Sequence, residues 1–228
     1  RLAAAMATLL TLVGSPALAD RLVVVELFTS QGCSSCPPAD ALLGELTRQE
    51  GVLPLALHVD YWDYIGWKDE FARPEHTRRQ KAYAAAAGAS TIYTPQMVVG
   101  GQDHVVGFKP GRVMALLMKH SDSAASVTAD VARSGTSIAV SVKALDAPGA
   151  VDVVLVRYIK ERSVDIRRGE NAGHKLTYHN IVAEMQRIGT WDGQGDYLVE
   201  AEAKGEGEFA VLVQRADAGP ILAAAQVP

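Results

Sequence analysis

Leu22-Val23-Val24-Val25-Glu26-Leu27-Phe28 leads through the loop Thr29-Ser30-Gln31-Gly32 into Cys33-Ser34-Ser35-Cys36, and from Ala39 the chain takes up helical spacing. The continuous apolar, largely β-branched run predicts a strand buried on both faces. Leu42, Leu43 and Leu46 predict a helix over Ala39 to Leu46. The only 2 cysteines of the 228-residue chain therefore stand three positions apart at a strand-to-helix junction. Thiols at i and i+3 across a first helical turn can close a small disulfide, and the positive end of the helix dipole favours the attacking thiolate. Two chemistries fit, a redox couple or a soft-metal clamp. A purely structural staple is the poorer use of the pair, because closing so short a loop removes little chain entropy.

Outward from this junction the pattern alternates strand and helix. Leu53 to Val59 reads as a second apolar strand ending at Asp60, and Arg73 to Gly88 as a helix stopped by its glycine. Gln96 to Val99, the turn Gly100-Gly101-Gln102-Asp103 and His104 to Val106 read as a hairpin, and Pro110 to His120 as an amphipathic helix. The expected order to this point is β-α-β-α-β-β-α. After residue 121 the pattern changes to short, mostly alternating runs: Val127 to Ala132, Ser137 to Ala144, Val151 to Glu161, Lys175 to Glu184, Tyr197 to Ala203, Glu208 to Gln214 and Ile221 to Gln226. Turn residues separate them, which predicts an all-β, sandwich-like region. The expected organisation is an α/β domain over residues 20–120, a small polar linker at 121–126, and a β-rich domain over 127–228.

The first nineteen residues read as a signal peptide. Leu2 to Val13 carries no charge, and Gly14, Ser15, Pro16 and Ala17-Leu18-Ala19 follow, an A-x-A pattern ahead of Asp20. Interruption by Thr, Gly, Ser and Pro leaves the run short of the ~20 residues a spanning helix needs. The chain is therefore expected to be exported by a Sec-type route to the bacterial periplasm or beyond, without stable membrane insertion. In such a compartment a C-x-x-C pair is a disulfide, a bound metal or a catalytic couple. Hydrophobic content of 48% and charged content of 21% are those of an ordinary globular protein, and a net charge of −4 argues against nucleic acid or an anionic membrane as partner.

Three features at matching positions make residues 22–120 resemble a thioredoxin-like domain. The first strand runs into Cys33-Ser34-Ser35-Cys36; Leu55-Ala56-Leu57-His58-Val59-Asp60 resembles that family's central strand; and Thr94-Pro95-Gln96-Met97-Val98-Val99-Gly100-Gly101 resembles its proline loop, strand and hairpin. The resemblance implies a thiol-disulfide oxidoreductase without cofactor, acting on protein thiols or disulfides. In it Cys33 is the exposed attacking thiol, Cys36 resolves the mixed disulfide, and Thr94 with a cis Pro95 presents backbone to the substrate. It also implies a buried acid near Glu26 that shuttles a proton to Cys36. Nearly the whole chain after residue 19 further resembles a family of secreted bacterial proteins of unknown function, which shares this half and a Gly-Glu-Asn-x-Gly motif, here Gly169-Glu170-Asn171-Ala172-Gly173.

The remaining candidates read two ways. Pro37-Pro38 suits a first helical turn but disfavours helical geometry at Cys36. Tyr61, Trp62, Tyr64 and Trp67 are either a peptide groove or packing under an extended loop. Two glycines and an asparagine at 169–173 denote a tight turn or part of a site. The histidines at 58, 76, 104, 120, 174 and 179 form no H-x-x-x-H pair, so if metal is bound, the two thiolates of Cys33 and Cys36 suit Cu(I) best. Oxidoreductase, soft-metal carrier and degenerate scaffold are the three readings the residues allow.

Overall fold

Strand β1 (Val23–Thr29) is buried along its whole length, as its composition demands. Its alternate residues serve two cores. Val23, Val25 and Leu27 pack with Leu42, Leu43 and Leu46 of helix α1 (Pro37–Leu46) and with Val113, Leu116 and Leu117 of helix α3 (Pro110–Ser121). Val24 and Phe28 point the other way, toward Tyr83 of helix α2 (Pro74–Ala86). The computed structural model describes residues 22–228, so the expected signal peptide lies outside the described residues.

Parallel to β1 runs β2 (Val52–His58), in register from Val23 opposite Val52 to Thr29 opposite His58. On the other side β3 (Gln96–Val99) is antiparallel, with Phe28 opposite Gln96, and β4 (Asp103–Val106) closes this edge. The element order through α3 is the one expected from the sequence. Gly100 and Gly101 both take left-handed backbone, at φ +60° and +70°, as a tight reversal between β3 and β4 requires.

The strands of the second half divide between two sheets. β5 (Val127–Ser134), β6 (Ser137–Ala144) and β9 (Asp196–Glu202) form a three-stranded sheet. β7 (Val151–Asp165), β8 (Lys175–Trp191), β10 (Glu208–Arg215) and β11 (Ile221–Gln226) instead extend the sheet of β1, giving eight strands in the order β11-β10-β7-β8-β2-β1-β3-β4. The protein is thus a mixed α/β structure built on one large mixed sheet with few helices. Ile138, Val140 and Val142 of the small sheet share a core with Val153, Leu155, Phe209 and Val211 of the large one. Strand alternation in the sequence identified the elements but not their partners, since period 2 says which face is buried and nothing about what covers it.

The ladder between the halves is short, although Val24, Phe28, Leu55 and Tyr83 share a core with Val156, Tyr158, Val182 and Leu212. β2 and β8 share one ladder position, Ala56 opposite Ile181, and next to it Asn180 Nδ2 donates to the carbonyl of Pro54 at 2.8 Å. Beyond this point the β7–β8 hairpin leaves the sheet and runs on as a paired arm to Asp165 opposite Lys175. The arm packs on α1, where Gly44 makes room for His179: a Cβ on Gly44 would lie 2.5 Å from the imidazole Cδ2.

Candidate functional site

Cys33 and Cys36 are joined by a disulfide with their Cα atoms 5.4 Å apart. Cys36 caps α1 in αR geometry, φ −79° and ψ −35°, and the helix begins at Pro37 itself, so the two prolines do not displace its start. They lack the N–H groups that a helix start leaves unpaired, and the next two, of Ala39 and Asp40, both bond the Cys36 carbonyl. Ser35 Oγ lies 3.4 Å from Cys33 Sγ, within reach as a donor to a thiolate there. Sequence reasoning expects Cys33 to be the exposed sulfur. In the structure Cys33 is 1% exposed and Cys36 0% exposed, because the loop is covered from outside α1.

Two segments lie on the loop: Trp62 and Ile65 pack against Gly32, and the tip of the β7–β8 arm, the Gly169–Gly173 stretch, is bonded to it. Asn171 is buried, and its Nδ2 donates to the carbonyls of Gln31 at 2.9 Å and Cys33 at 3.0 Å. Glu170 Oε2 accepts from Ser34 Oγ at 2.6 Å. Gly169 holds φ +78° against Trp67, whose Cβ would be 3.3 Å from a Cβ at that position. The motif is therefore both a turn and a clamp on the cysteine loop, joining residues about 140 positions apart.

A buried polar cluster lies behind the loop. Asp69 Oδ2 accepts from the Gln31 amide at 2.8 Å and from His58 Nδ1 at 2.7 Å, while Oδ1 accepts from the Phe71 amide. Burial disfavours both charges, but their mutual attraction prevails: the His58 imidazole is raised and the Asp69 carboxyl is lowered from their ordinary values. The Tyr178 ring stands 4.8 Å from that of His58. Asp40, one helical turn after Cys36, contributes a carboxyl that is 6% exposed with neither oxygen hydrogen-bonded. Desolvation raises it to about 7, against the opposing charge of His58 and the neighbouring Thr29 hydroxyl, which stands beside the carboxyl without a well-formed hydrogen bond. His58 Nε2, Tyr178 OH and Thr29 Oγ1 are likewise buried without partners. Outward, Asp40 reaches a cleft of about 340 Å³ between α1 and the arm, which Arg48, Lys175, Thr177 and His179 also line. A carboxylate on the inward stripe of α1, four residues after Cys36, is the sequence signal that could have found it.

Glu26 is fully buried but faces away from this cluster. Arg79 donates to its two oxygens, Nε at 2.5 Å and Nη2 at 3.0 Å, and Tyr83 OH donates at 2.5 Å. Gln214 completes the group by accepting from Arg79 and donating to Tyr83. Alternation along β1 puts Glu26 on the Val24 and Phe28 face, opposite to Thr29 and α1. The Thr94–Pro95 bond is cis, and Gln96 opposite Phe28 sets the pair at the same sheet end as the cysteine loop. Trp62 Nε1 donates to Thr94 Oγ1 at 2.7 Å, Trp67 Nε1 to Gln31 Oε1 at 2.7 Å, and Tyr61 OH to Gln80. These three aromatics brace the loops, and Tyr64 alone of the four is largely exposed. Among the described residues no cluster of three or more His, Cys, Asp or Glu side chains is arranged to hold a metal ion, and no helix there is long and apolar enough to cross a membrane.

Residues 24–214 match a family described as "Protein of unknown function (DUF1223)". A crystal structure of an Agrobacterium tumefaciens protein is similar at 35% identity, with a TM-score of 0.76, covering 90% of this chain and 92% of that one. The protein HBP35 of Porphyromonas gingivalis shares the fold at 15% identity and a TM-score of 0.60, covering 91% and 74%. No curated protein matches the chain.

Proposed function

We propose that this chain, which belongs to the DUF1223 family of unknown function, is an exported thiol-disulfide oxidoreductase working through the Cys33–Cys36 couple. The observation that carries the reading is a disulfide closed at the cap of α1 with a buried, unpartnered carboxyl one turn behind it. The β-α-β-α-β-β-α order around it, with cis Pro95 at the same sheet end, supports a thioredoxin-like arrangement of this half.

In the reducing direction the Cys33 thiolate attacks a partner disulfide, forming a mixed disulfide and releasing one partner sulfur as thiolate. Cys36 then loses its proton and attacks Cys33 Sγ. The Cys33–Cys36 bond closes, the second partner thiolate leaves, and two electrons have passed to the partner. The oxidising direction is the same path reversed. Ser35 Oγ supplies a hydrogen bond to the Cys33 thiolate, and the dipole of α1 adds to it. Asp40 takes the proton-shuttling role that the resemblance assigned near Glu26: a carboxyl poised near neutral pH can accept the Cys36 proton and return it. The Glu26 carboxylate, tied to Arg79, has no such freedom. Thr94 and Pro95 offer backbone to the partner, whose class is a periplasmic protein thiol or disulfide.

The test is trapping in the exported protein. Cys36→Ser is expected to accumulate covalent complexes that a reductant releases, and Cys33→Ser to accumulate none. If neither variant traps a partner while the reduced wild type retains Cu(I) at both sulfurs, the carrier reading replaces this one.

A further inference from the structure

We infer that the tip of the β7–β8 arm is a latch over the disulfide, and that Asn171 and Glu170 set which thiols reach Cys33. This rests on the oxidoreductase reading and adds to it a residue pair that selects partners by access. Exchange requires a sulfur to approach Cys33 Sγ, and with Cys33 1% and Cys36 0% exposed neither sulfur receives one in the closed structure. Some part of the cover must move.

The surrounding contacts say which. Gln31 is anchored from behind by its amide to the buried, charged Asp69 and by its side chain to Trp67. The proline loop continues into β3, which is laddered to β1. Helix α1 is seated by Leu42, Leu43 and Leu46 in the core. The tip, by contrast, grips the loop through three hydrogen bonds: two from Asn171 Nδ2 and one onto Glu170, the last at the surface. It is carried on an arm that has already left the sheet beyond Ile181. Its own seat is Ile166, buried and bonded through its backbone to Gly173 and His174 within the turn. The tip can therefore swing as a unit without breaking its internal ladder, at the loss of its three bonds to the loop and of the packing of Gly169 on Trp67. Opening withdraws the Asn171 donor from the carbonyls of Gln31 and Cys33, and a partner that supplies N–H donors to them, as an extended polypeptide does, recovers what the latch gives up. A small thiol recovers neither bond.

The experiment measures reduction of the oxidised full chain against reductant concentration, with dithiothreitol and with a reduced protein dithiol, quenching by alkylation and counting blocked cysteines by mass. The wild-type rate with dithiothreitol is expected to rise and then reach a plateau at the opening rate, well above the global unfolding rate from urea jumps. Asn171→Ala removes both donors and is expected to raise the plateau about tenfold. Glu170→Ala raises it less, and Glu170→Gln, which keeps an acceptor for Ser34, stays near wild type. A rate linear in reductant with equal slopes in all four proteins, or a plateau equal to the unfolding rate, overturns the latch. These kinetics are read with reductant alone, so absence of trapped partners in Cys36→Ser would remove the oxidoreductase reading while leaving the latch measurable.

Discussion

Asp40→Asn separates the buried carboxyl from everything else in the site. The Asp40 carboxyl titrates near 3.8 in the unfolded chain and at about 7 in the fold. Because the folded value is the higher one, the fold favours the protonated form. Stability is unaffected below the unfolded value, falls as pH rises above it, and levels off above the folded value. At 1.36 kcal/mol per unit, the loss from this one group between pH 5 and pH 8 is about 2–3 kcal/mol. The raised His58 imidazole changes stability in the same direction, its contribution being lost as pH rises through its folded value; Asp69 holds it up in both proteins, and the smaller part owed to the Asp40 charge goes with the substitution. Urea unfolding of the disulfide-intact protein should therefore show Asp40→Asn gaining about 2–3 kcal/mol relative to wild type on going from pH 5 to pH 8. Keeping the disulfide closed removes cysteine titration from the comparison. Parallel pH dependences in the two proteins would refute the argument, since the carboxyl would then be ionised in the fold like any surface aspartate.

The other predictions concern groups away from the sulfurs. Arg79→Met leaves the fully buried Glu26 carboxylate without its cation and is expected to lower the urea-unfolding free energy by about 3–5 kcal/mol. Glu26→Gln should leave the pH profile of disulfide reduction where it is in wild type, whereas Asp40→Asn should shift it, a contrast read by alkylation of the reduced cysteines across pH. Gly100→Ala places a Cβ 2.5 Å from His120 Cε1 at φ +60°, and a loss of about 1–3 kcal/mol is expected by thermal or urea melts, without change in the disulfide.

Local order was legible in the chain from neighbouring residues alone. The apolar run Leu22 to Phe28 specified a doubly buried strand, the cysteine spacing specified a closable pair at a helix cap, and Gly100-Gly101 specified a reversal, because each depends on contacts within a few positions. The doubt attached to Pro37-Pro38 also resolved locally, since a first helical turn has no use for the N–H groups that proline lacks. What the chain could not reveal was pairing at long range. Whether β7 and β8 close on themselves or join β2 turns on the core that Leu55 and Leu57 share with Val156, Tyr158 and Val182, and on the contacts at Ile181 and Asn180. The role of Glu26 followed the same rule: alternation put it on one face of β1, but only tertiary packing put Arg79 on that face and Asp40 on the other. The Gly169–Gly173 turn could be read as a turn from its glycines, yet its hold on Cys33 exists only because the hairpin arm carries Asn171 back to a loop about 140 residues earlier. Propensity and periodicity act over single turns and strands. The burial of Asp40 and of both sulfurs is a property of surfaces brought together from opposite ends of the chain, and only the assembled fold decides it.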